Sequence, residues 1–226
     1  MEDLESFRQD STVVETNIHY PTNNSLVWDC IKESERLLKH LKKEIGDLSY
    51  EQYGKAAKKT YFKINVSKSE EERAKLFIKQ LNLFTNSINQ VSNIIKKKQG
   101  CVTTAKASKH FEALKELLTV MEIVYSMTER KEILKEKVSV EVKIFSIYKL
   151  HTDIIVKGKR DVQFGHKINL GSGKSNLILT CEIVEGNSKD SELYQPTIEK
   201  YKEYYGKAPS SSAADGGYAS IENLQF

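Results

Sequence analysis

The sequence has few cysteines, no long apolar run and only a small excess of positive charge. Its three cysteines, Cys30, Cys101 and Cys181, lie too far apart for a zinc knuckle or a short redox motif, and their odd number argues against a disulfide framework. No stretch approaches the roughly 18 apolar residues of a membrane span, and the acidic, polar start is unlike a signal peptide. These absences predict reduced thiols, a cytoplasmic location and no membrane partner.

The overall balance of charge and apolarity is that of an ordinary globular chain. Lysine and arginine total 35 and the acidic residues 31, so the formal net charge of the 226 residues is +4. The hydrophobic fraction of 39% is enough to form a buried core. So mild a positive excess permits a nucleic-acid partner without requiring one.

Three regions of the chain differ in their apolar spacing. Residues 6–20 are rich in valine and threonine and predict an extended strand or hairpin, followed by a turn at 21–24 and a helix capped by Asn24 or Ser25. Residues 69–137 carry apolar residues spaced three and four apart, which predicts an antiparallel helical hairpin. We therefore expect a first strand segment at 1–24, a helical insertion at 25–138 and a third region at 139–226.

The third region changes to the period of a strand. Val140, Val142, Ile144 and Ile147 alternate with other residues, and a β-hairpin is expected over 161–185 around the turn GSGKS. A helix capped by Asp190 or Ser191 should follow and run to Tyr205. A short strand before 215 and a helix from 219 complete the pattern.

These elements predict an α/β (α+β) fold. If the helical insertion after the first strand is removed, the order is β-β-β-α-β-α, that of the first six elements of an RNase H-like fold. The GSGKS sequence is not interpreted as a phosphate-binding loop, because Ile168 stands where that loop needs its first glycine and a strand follows.

Two aspartates could carry chemistry in such a fold. Asp10 lies on the first strand, and Asp215 lies at the end of the fourth strand before Gly216-Gly217. In an RNase H-like sheet these positions meet, and two adjacent carboxylates repel each other unless a cation neutralises them. Mg²⁺ (or Mn²⁺) accepts such oxygen ligands. Spacing alone favours the simpler interpretations, in which Asp215 is a turn residue and Asp10 is a strand-edge residue.

Several segments resemble a known family in the same order. DSTVVETNIHYPTNNSLVWDCIK resembles the first catalytic block of insertion-sequence DDE transposases of the ISNCY-type group. HTDIIVKGKRDVQFGHKINL, EGNSKDSELY and YGKAPSSSAADGGYAS are similar to later blocks. The resemblance implies that Asp10 and Asp215 are the first two catalytic, metal-binding acids. It also implies a third acid, a glutamate, on a later helix, and a DNA-binding part before the first acid, and we expect both to be missing from this chain.

Basic residues around the predicted hairpin form a candidate DNA contact. These are Lys157, Lys159, Arg160, His166 and Lys167. Lysine and arginine supply most nonspecific affinity for DNA, although a solvated charged surface explains the same residues. His19 and His166 could approach the metal site, or could simply be bonded to backbone.

The sequence therefore leaves two main functions open, besides a third that is independent of the resemblance, a coiled-coil interaction protein. The first is a fragment of a DDE transposase that binds transposon-end DNA and cleaves and transfers strands in the intact family, with the fragment itself expected to be inactive. The alternative is a non-enzymatic, helical DNA-binding or self-associating protein, such as a transposase remnant or inhibitor, with the helical block mediating a homo-oligomer.

Overall fold

The computed structural model describes residues 4–157 and 161–226, which form six α-helices and a five-stranded mixed sheet. The elements fall into two compact units. The sheet unit contains the chain up to Ile18 together with His151–Phe226, and the helical unit contains His19–Leu150. The strands are β1 Ser6–Glu15, β2 Asp153–Lys157, β3 Asp161–Ser172, β4 Ile178–Val184 and β5 Ser211–Ala214. The helices are α1 Asn23–Ile45, α2 Gly54–Val66, α3 Glu70–Lys98, α4 Ala105–Thr128, α5 Asp190–Tyr205 and α6 Ile221–Gln225.

Helix α1 begins one turn earlier than expected. Its N-cap is Thr22, whose hydroxyl oxygen accepts a hydrogen bond from the Ser25 backbone N–H at 3.0 Å. Ser25 is thus the third helical residue and closes a capping box with Thr22. The helix ends at Gly46, whose φ of 74° suits a residue without a side chain.

The helical unit is built on the apolar spacing seen in the sequence. Helices α3 and α4 occupy most of the range expected for the helical hairpin, and α4 packs against both α1 and α3. The apolar stripes of α1, α3 and α4 supply about half of the buried apolar side chains of this unit. Their apolar members exposed by 2% or less are Val27, Ile31, Leu38, Leu41, Phe77, Phe84, Val91, Phe111, Leu114 and Met121.

The strand expected near Val140 does not form. Val140–Val142 is a single 3-10 turn, and both valines are about half exposed. Ile144 and Ile147 instead pack against the helical core. Their alternation therefore reflects contacts with helices, and residues 139–150 belong to the helical unit rather than to the sheet.

The sheet has β3 and β1 at its centre. β3 pairs antiparallel with β1 on one side and with both β2 and β4 on the other, while β5 pairs parallel with β1. The expected hairpin is the β3–β4 pair. Its turn begins after Ser172, because Gly171 is still part of β3 and the Phe7 ring lies against it. Strand β2 was not expected from the sequence.

Helix α5 covers one face of this sheet. Phe7, Ile198 and Tyr201 form a small apolar cluster, in which the Phe7 and Tyr201 rings meet edge to face with centroids 4.9 Å apart. The Tyr201 hydroxyl donates to the Leu4 carbonyl at 2.7 Å. Gly206 ends the helix in the left-handed conformation, as expected from the sequence.

No described helix combines the length and the apolarity needed to cross a membrane. The three cysteines have free thiols; Cys30 is buried, whereas Cys101 and Cys181 are exposed. Burial raises the pKa of the Cys30 thiol far above its usual range, and the neighbouring Asp29 raises it further. Cys30 therefore behaves as an apolar core residue.

Candidate functional site

The strand register brings Asp10 and Asp215 to neighbouring positions. Gln9 of β1 is the parallel partner of Ala214, the last residue of β5; Asp10 follows Gln9 within β1, and Asp215 follows Ala214 directly after the end of β5. Adjacent strands lie roughly 4.8 Å apart. Both aspartates line one open cleft of about 740 Å³ in the sheet unit. The two residues selected from the sequence therefore share one site.

Each aspartate is oriented by a local backbone N–H group. The Ser11 N–H donates to Asp10 Oδ1 at 2.7 Å, and the Gly217 N–H donates to Asp215 Oδ1 at 2.8 Å. Asp215 thereby caps the short 3-10 turn Gly216–Tyr218. These bonds engage one oxygen of each carboxylate.

A third carboxylate, Asp190, lies in the same cleft. A Cβ atom placed on Gly217 would stand 3.0 Å from Asp215 Oδ1 and 3.2 Å from Asp190 Oδ2, so the two carboxylates flank this glycine. The Ser11 hydroxyl donates to Asp190 Oδ1 at 2.8 Å. The sequence indicated only a capping role for Asp190; it is in fact the first residue of α5, after the N-cap Lys189. Its position beside the Asp215 turn is a tertiary contact that no local pattern reveals.

The Asp190 carboxylate is paired with Lys167. The Lys167 ammonium lies 2.6 Å from Asp190 Oδ1 and donates to the Ser188 carbonyl at 2.8 Å. Lys167, a residue of β3, lines the cleft but is only 5% exposed. A DNA phosphate could bond to this ammonium only if the pair with Asp190 opened.

Tyr218 is a buried polar residue next to the three carboxylates. It is 2% exposed, and its hydroxyl donates to Asn169 Oδ1 at 2.9 Å. Burial raises the pKa of the Tyr218 phenol well above its usual range, and the charges of Asp190, Asp10 and Asp215 raise it further. A hydrogen bond with Ser11 lowers this pKa, but by less than the burial raises it. The phenol is therefore a neutral hydrogen-bond donor at physiological pH.

Tyr218 belongs to a buried network of hydrogen-bonded side chains. Asn169 Oδ1 also accepts from Gln9 Nε2 at 3.3 Å, and Asn169 Nδ2 donates to Thr197 Oγ1 at 2.6 Å. Gln9 Nε2 lies 3.1 Å from the same threonine oxygen and 3.0 Å from the Leu193 carbonyl. The network joins β1, β3 and α5 directly beside the strand positions of the acids.

Of the other predicted DNA contacts, His166 does not line the cleft. His166 Nε2 is 2.8 Å from His151 Nδ1, and its other ring nitrogen is 3.6 Å from Asp153. His19 belongs to the helical unit and lies 3.3 Å from Asp29. Lys159 and Arg160 fall outside the described residues, and only the backbone of Lys157, at the end of β2, is described.

Lys189 is a further basic residue of the cleft, and it was not selected from the sequence. It is exposed and lies beside Asp190 at the start of α5. In residues 4–157 and 161–226, no group of three or more histidine, cysteine, aspartate or glutamate side chains is arranged to hold a metal ion. The candidate ligand set thus consists of the two strand aspartates.

Comparison of the chain with protein-family models, with curated proteins and with solved structures gives no significant match.

Proposed function

We propose that the sheet unit is catalytic-domain material of an insertion-sequence DDE transposase, with DNA strand cleavage and transfer as the activity of the intact enzyme. The observation that carries this proposal is the parallel β1–β5 register, which makes Asp10 and Asp215 neighbours in one open cleft. The ordered sequence blocks that resemble this family contain the same two residues.

The arrangement of the sheet supports the proposal. β1 lies between β3 and β5, the central position that the first strand occupies in an RNase H-like fold. β3 and β4 run as an antiparallel hairpin, and β5 is parallel to β1. These pairings support the proposed relation to an RNase H-like fold, and β2 is an additional short strand that the element order did not predict.

The donor atoms suit a magnesium or manganese ion. Asp10 and Asp215 offer carboxylate oxygens, and Mg²⁺ binds readily to one or two carboxylates while it keeps several waters. When bound, such an ion supplies an activated oxygen nucleophile and stabilises the leaving oxygen of a phosphodiester. The chain's own contribution is positional, since a backbone N–H bond orients each of the two carboxylates in the cleft.

Ion binding is tested first, because it does not require activity. Mn²⁺ is titrated into the full chain and its binding is followed by electron paramagnetic resonance. The wild type should bind the ion, and Asp10→Asn and Asp215→Asn should each weaken binding roughly tenfold or more, which is typical for loss of a ligand or its support. Asp161→Asn removes an exposed aspartate of the same sheet and should bind as the wild type does.

The DNA function needs a second experiment. A labelled transposon-end duplex is incubated with the chain and Mn²⁺, and strand nicking is measured. Nicking that disappears in Asp10→Asn supports the proposal. No Mn²⁺ binding to a folded wild type, or equal binding by Asp10→Asn and the wild type, would refute it.

A further inference from the structure

Helix α2 in the helical unit presents an uncompensated basic face. It contains four lysines and no acidic residue. Ala57, Thr60 and Ile64 are buried on the opposite side of the helix. The exposed lysines are spaced three, four and eight residues from the first, which places them on one side of an α-helix; they are Lys55, Lys58, Lys59 and Lys63.

Aromatic side chains accompany these lysines. Phe62 lies within the same helical face and is 53% exposed. It contacts Tyr61 edge to face, and Tyr61 in turn lies 4.9 Å from the Trp28 ring of α1. The Lys58 ammonium lies 5.8 Å from the centroid of Trp28, and Lys32 lies 5.7 Å from it on the same ring. We call this set of lysines and rings the α2 surface.

Some lysines elsewhere in the helical unit are neutralised by an acidic residue of their own helix, whereas α2 contains no acidic residue. Lys75 pairs with Glu71, and Lys115 pairs with Glu112, each within its own helix. Within the described part of the chain, Lys32 and the four lysines of α2 take part in no salt bridge. A surface that only keeps a protein soluble usually mixes both signs of charge, so this one is complementary to an anion with repeated charges.

We propose that the α2 surface binds single-stranded nucleic acid. The lysine ammonium groups contact successive phosphates, and the exposed Phe62 ring stacks on a base. A positively charged track combined with accessible rings is how proteins hold unpaired strands without reading their sequence. A duplex offers phosphates but keeps its bases stacked, so it would leave Phe62 without a partner.

An anionic membrane surface is less consistent with this geometry. A helix that binds a membrane inserts its apolar face, whereas α2 buries Ala57, Thr60 and Ile64 inside the protein. Only Phe62 and Val66 remain as exposed large apolar residues of this helix. Vesicles are therefore included as a competing ligand in the test.

The only tryptophan of the chain provides a local probe. Because Trp28 belongs to the α2 surface, its fluorescence should change when an oligothymidylate of about 15 nucleotides binds to the full chain. Fluorescence anisotropy of a labelled oligonucleotide gives the affinity at several salt concentrations. We expect tighter binding of the single strand than of a duplex of equal length.

Two variants separate phosphate contacts from stacking. Lys55→Gln/Lys59→Gln/Lys63→Gln should reduce the slope of log affinity against log salt by about 2, since each single-strand phosphate contact contributes about 0.7. Phe62→Ala should lower the affinity roughly 5- to 100-fold, the range for one stacked base, and leave the salt slope unchanged. Circular dichroism verifies that each variant is folded.

The matched control removes the same charge from α1. The Lys39→Gln/Lys42→Gln/Lys43→Gln variant changes three exposed lysines outside the α2 surface and should keep most of the affinity and the salt slope. Three results would overturn the proposal: equal losses in both triple variants, wild-type affinity in Phe62→Ala, or binding to anionic vesicles with none to the oligonucleotide. The α2 surface belongs to the helical unit and the carboxylate cleft to the sheet unit, and oligonucleotide binding and Mn²⁺ binding are separate measurements, so either proposal can fail without the other.

Discussion

The cores of the two units consist of different kinds of side chain. The helical unit has a large core of aliphatic and aromatic side chains. The sheet unit has a small apolar cluster around Phe7, Ile198 and Tyr201, and next to it the buried amides and hydroxyls of Gln9, Asn169 and Thr197. An apolar core tolerates small shifts of its elements, whereas a hydrogen-bonded one is satisfied in few arrangements. The rigid, polar core lies beside the cleft, where the positions of the carboxylates matter.

A cavity in the apolar core should have the largest effect on stability. Phe84 is fully buried between the helices, so Phe84→Ala should lower the free energy of unfolding by about 3–5 kcal/mol. Guanidinium denaturation followed by Trp28 fluorescence reports on the helical unit. Ile78→Ala in the same helix removes a side chain that is 48% exposed and should change stability by less than about 1 kcal/mol. Equal losses in the two variants would contradict a core at Phe84.

Removal of one amide should reveal the different character of the sheet unit. Asn169→Ala leaves Gln9, Thr197 and the Tyr218 hydroxyl short of one partner each, and we expect a loss of about 2–4 kcal/mol. Amide hydrogen exchange in β1 and β3 measures it. Asn187→Ala changes an exposed asparagine and should have little effect. If Asn169→Leu proved as stable as the wild type, the polar network would be dispensable and the contrast between the units would fail.

A smaller loss of stability is expected at Gly171, where the sheet unit is tightly packed. An added methyl group at Gly171 would overlap the Phe7 ring and the Thr180 hydroxyl, so Gly171→Ala should cost about 1–3 kcal/mol. The same exchange measurement applies. A second change, Phe7→Leu, should cost less in the Gly171→Ala background than alone. Gly100→Ala, where no atom lies within 4 Å of the new methyl group, provides the neutral control.

Sequence reasoning worked best where a single period decides the structure. The stripes of α3 and α4 predicted both helices because buried positions recur every three to four residues along one element. The same logic misinterpreted Val140 and Ile144, since alternation over a few residues cannot distinguish a strand from a loop that packs on helices. Strand β2 was missed because its pairing with β3 is a contact between segments.

Some residues of the candidate site could likewise be predicted from the sequence, and others could not. Asp10 and Asp215 could be selected because the order of elements and the family resemblance both indicate them. The pairing of Asp190 with Lys167 could not be predicted, because Asp190 was interpreted as a helix-capping residue and Lys167 as a candidate DNA contact. Only the tertiary fold brings the start of α5 to the turn after β5.

The smallest effect should come from a buried charge in the helical unit, and it should stabilise. Asp29 is 6% exposed; burial raises the pKa of its carboxyl above the ordinary 3.8, and this outweighs the lowering by His19 and Lys32. The folded state therefore favours the protonated form. The protonated Asp29 carboxyl therefore contributes to the free energy of unfolding. This contribution is complete below about pH 3.8 and is lost as the pH rises through the folded-state pKa. Asp29→Asn should consequently be more stable than the wild type at pH 7, and the difference should shrink on acidification.

In the control variant, the expected change in stability at pH 7 has the opposite sign. Lys98 lowers the pKa of the Asp47 carboxyl through a hydrogen bond of 2.7 Å, so the ionised form of Asp47 favours folding. That contribution is present above the unfolded pKa and is lost as the pH falls through the folded pKa. Asp47→Asn should therefore be slightly less stable than the wild type at pH 7 and equal to it in acid, with only a small change because the pair is exposed. Urea denaturation between pH 3 and pH 7 compares the variants by Trp28 fluorescence. If Asp29→Asn were instead less stable than the wild type at pH 7, the pair with His19 would outweigh the effect of burial on the Asp29 carboxyl.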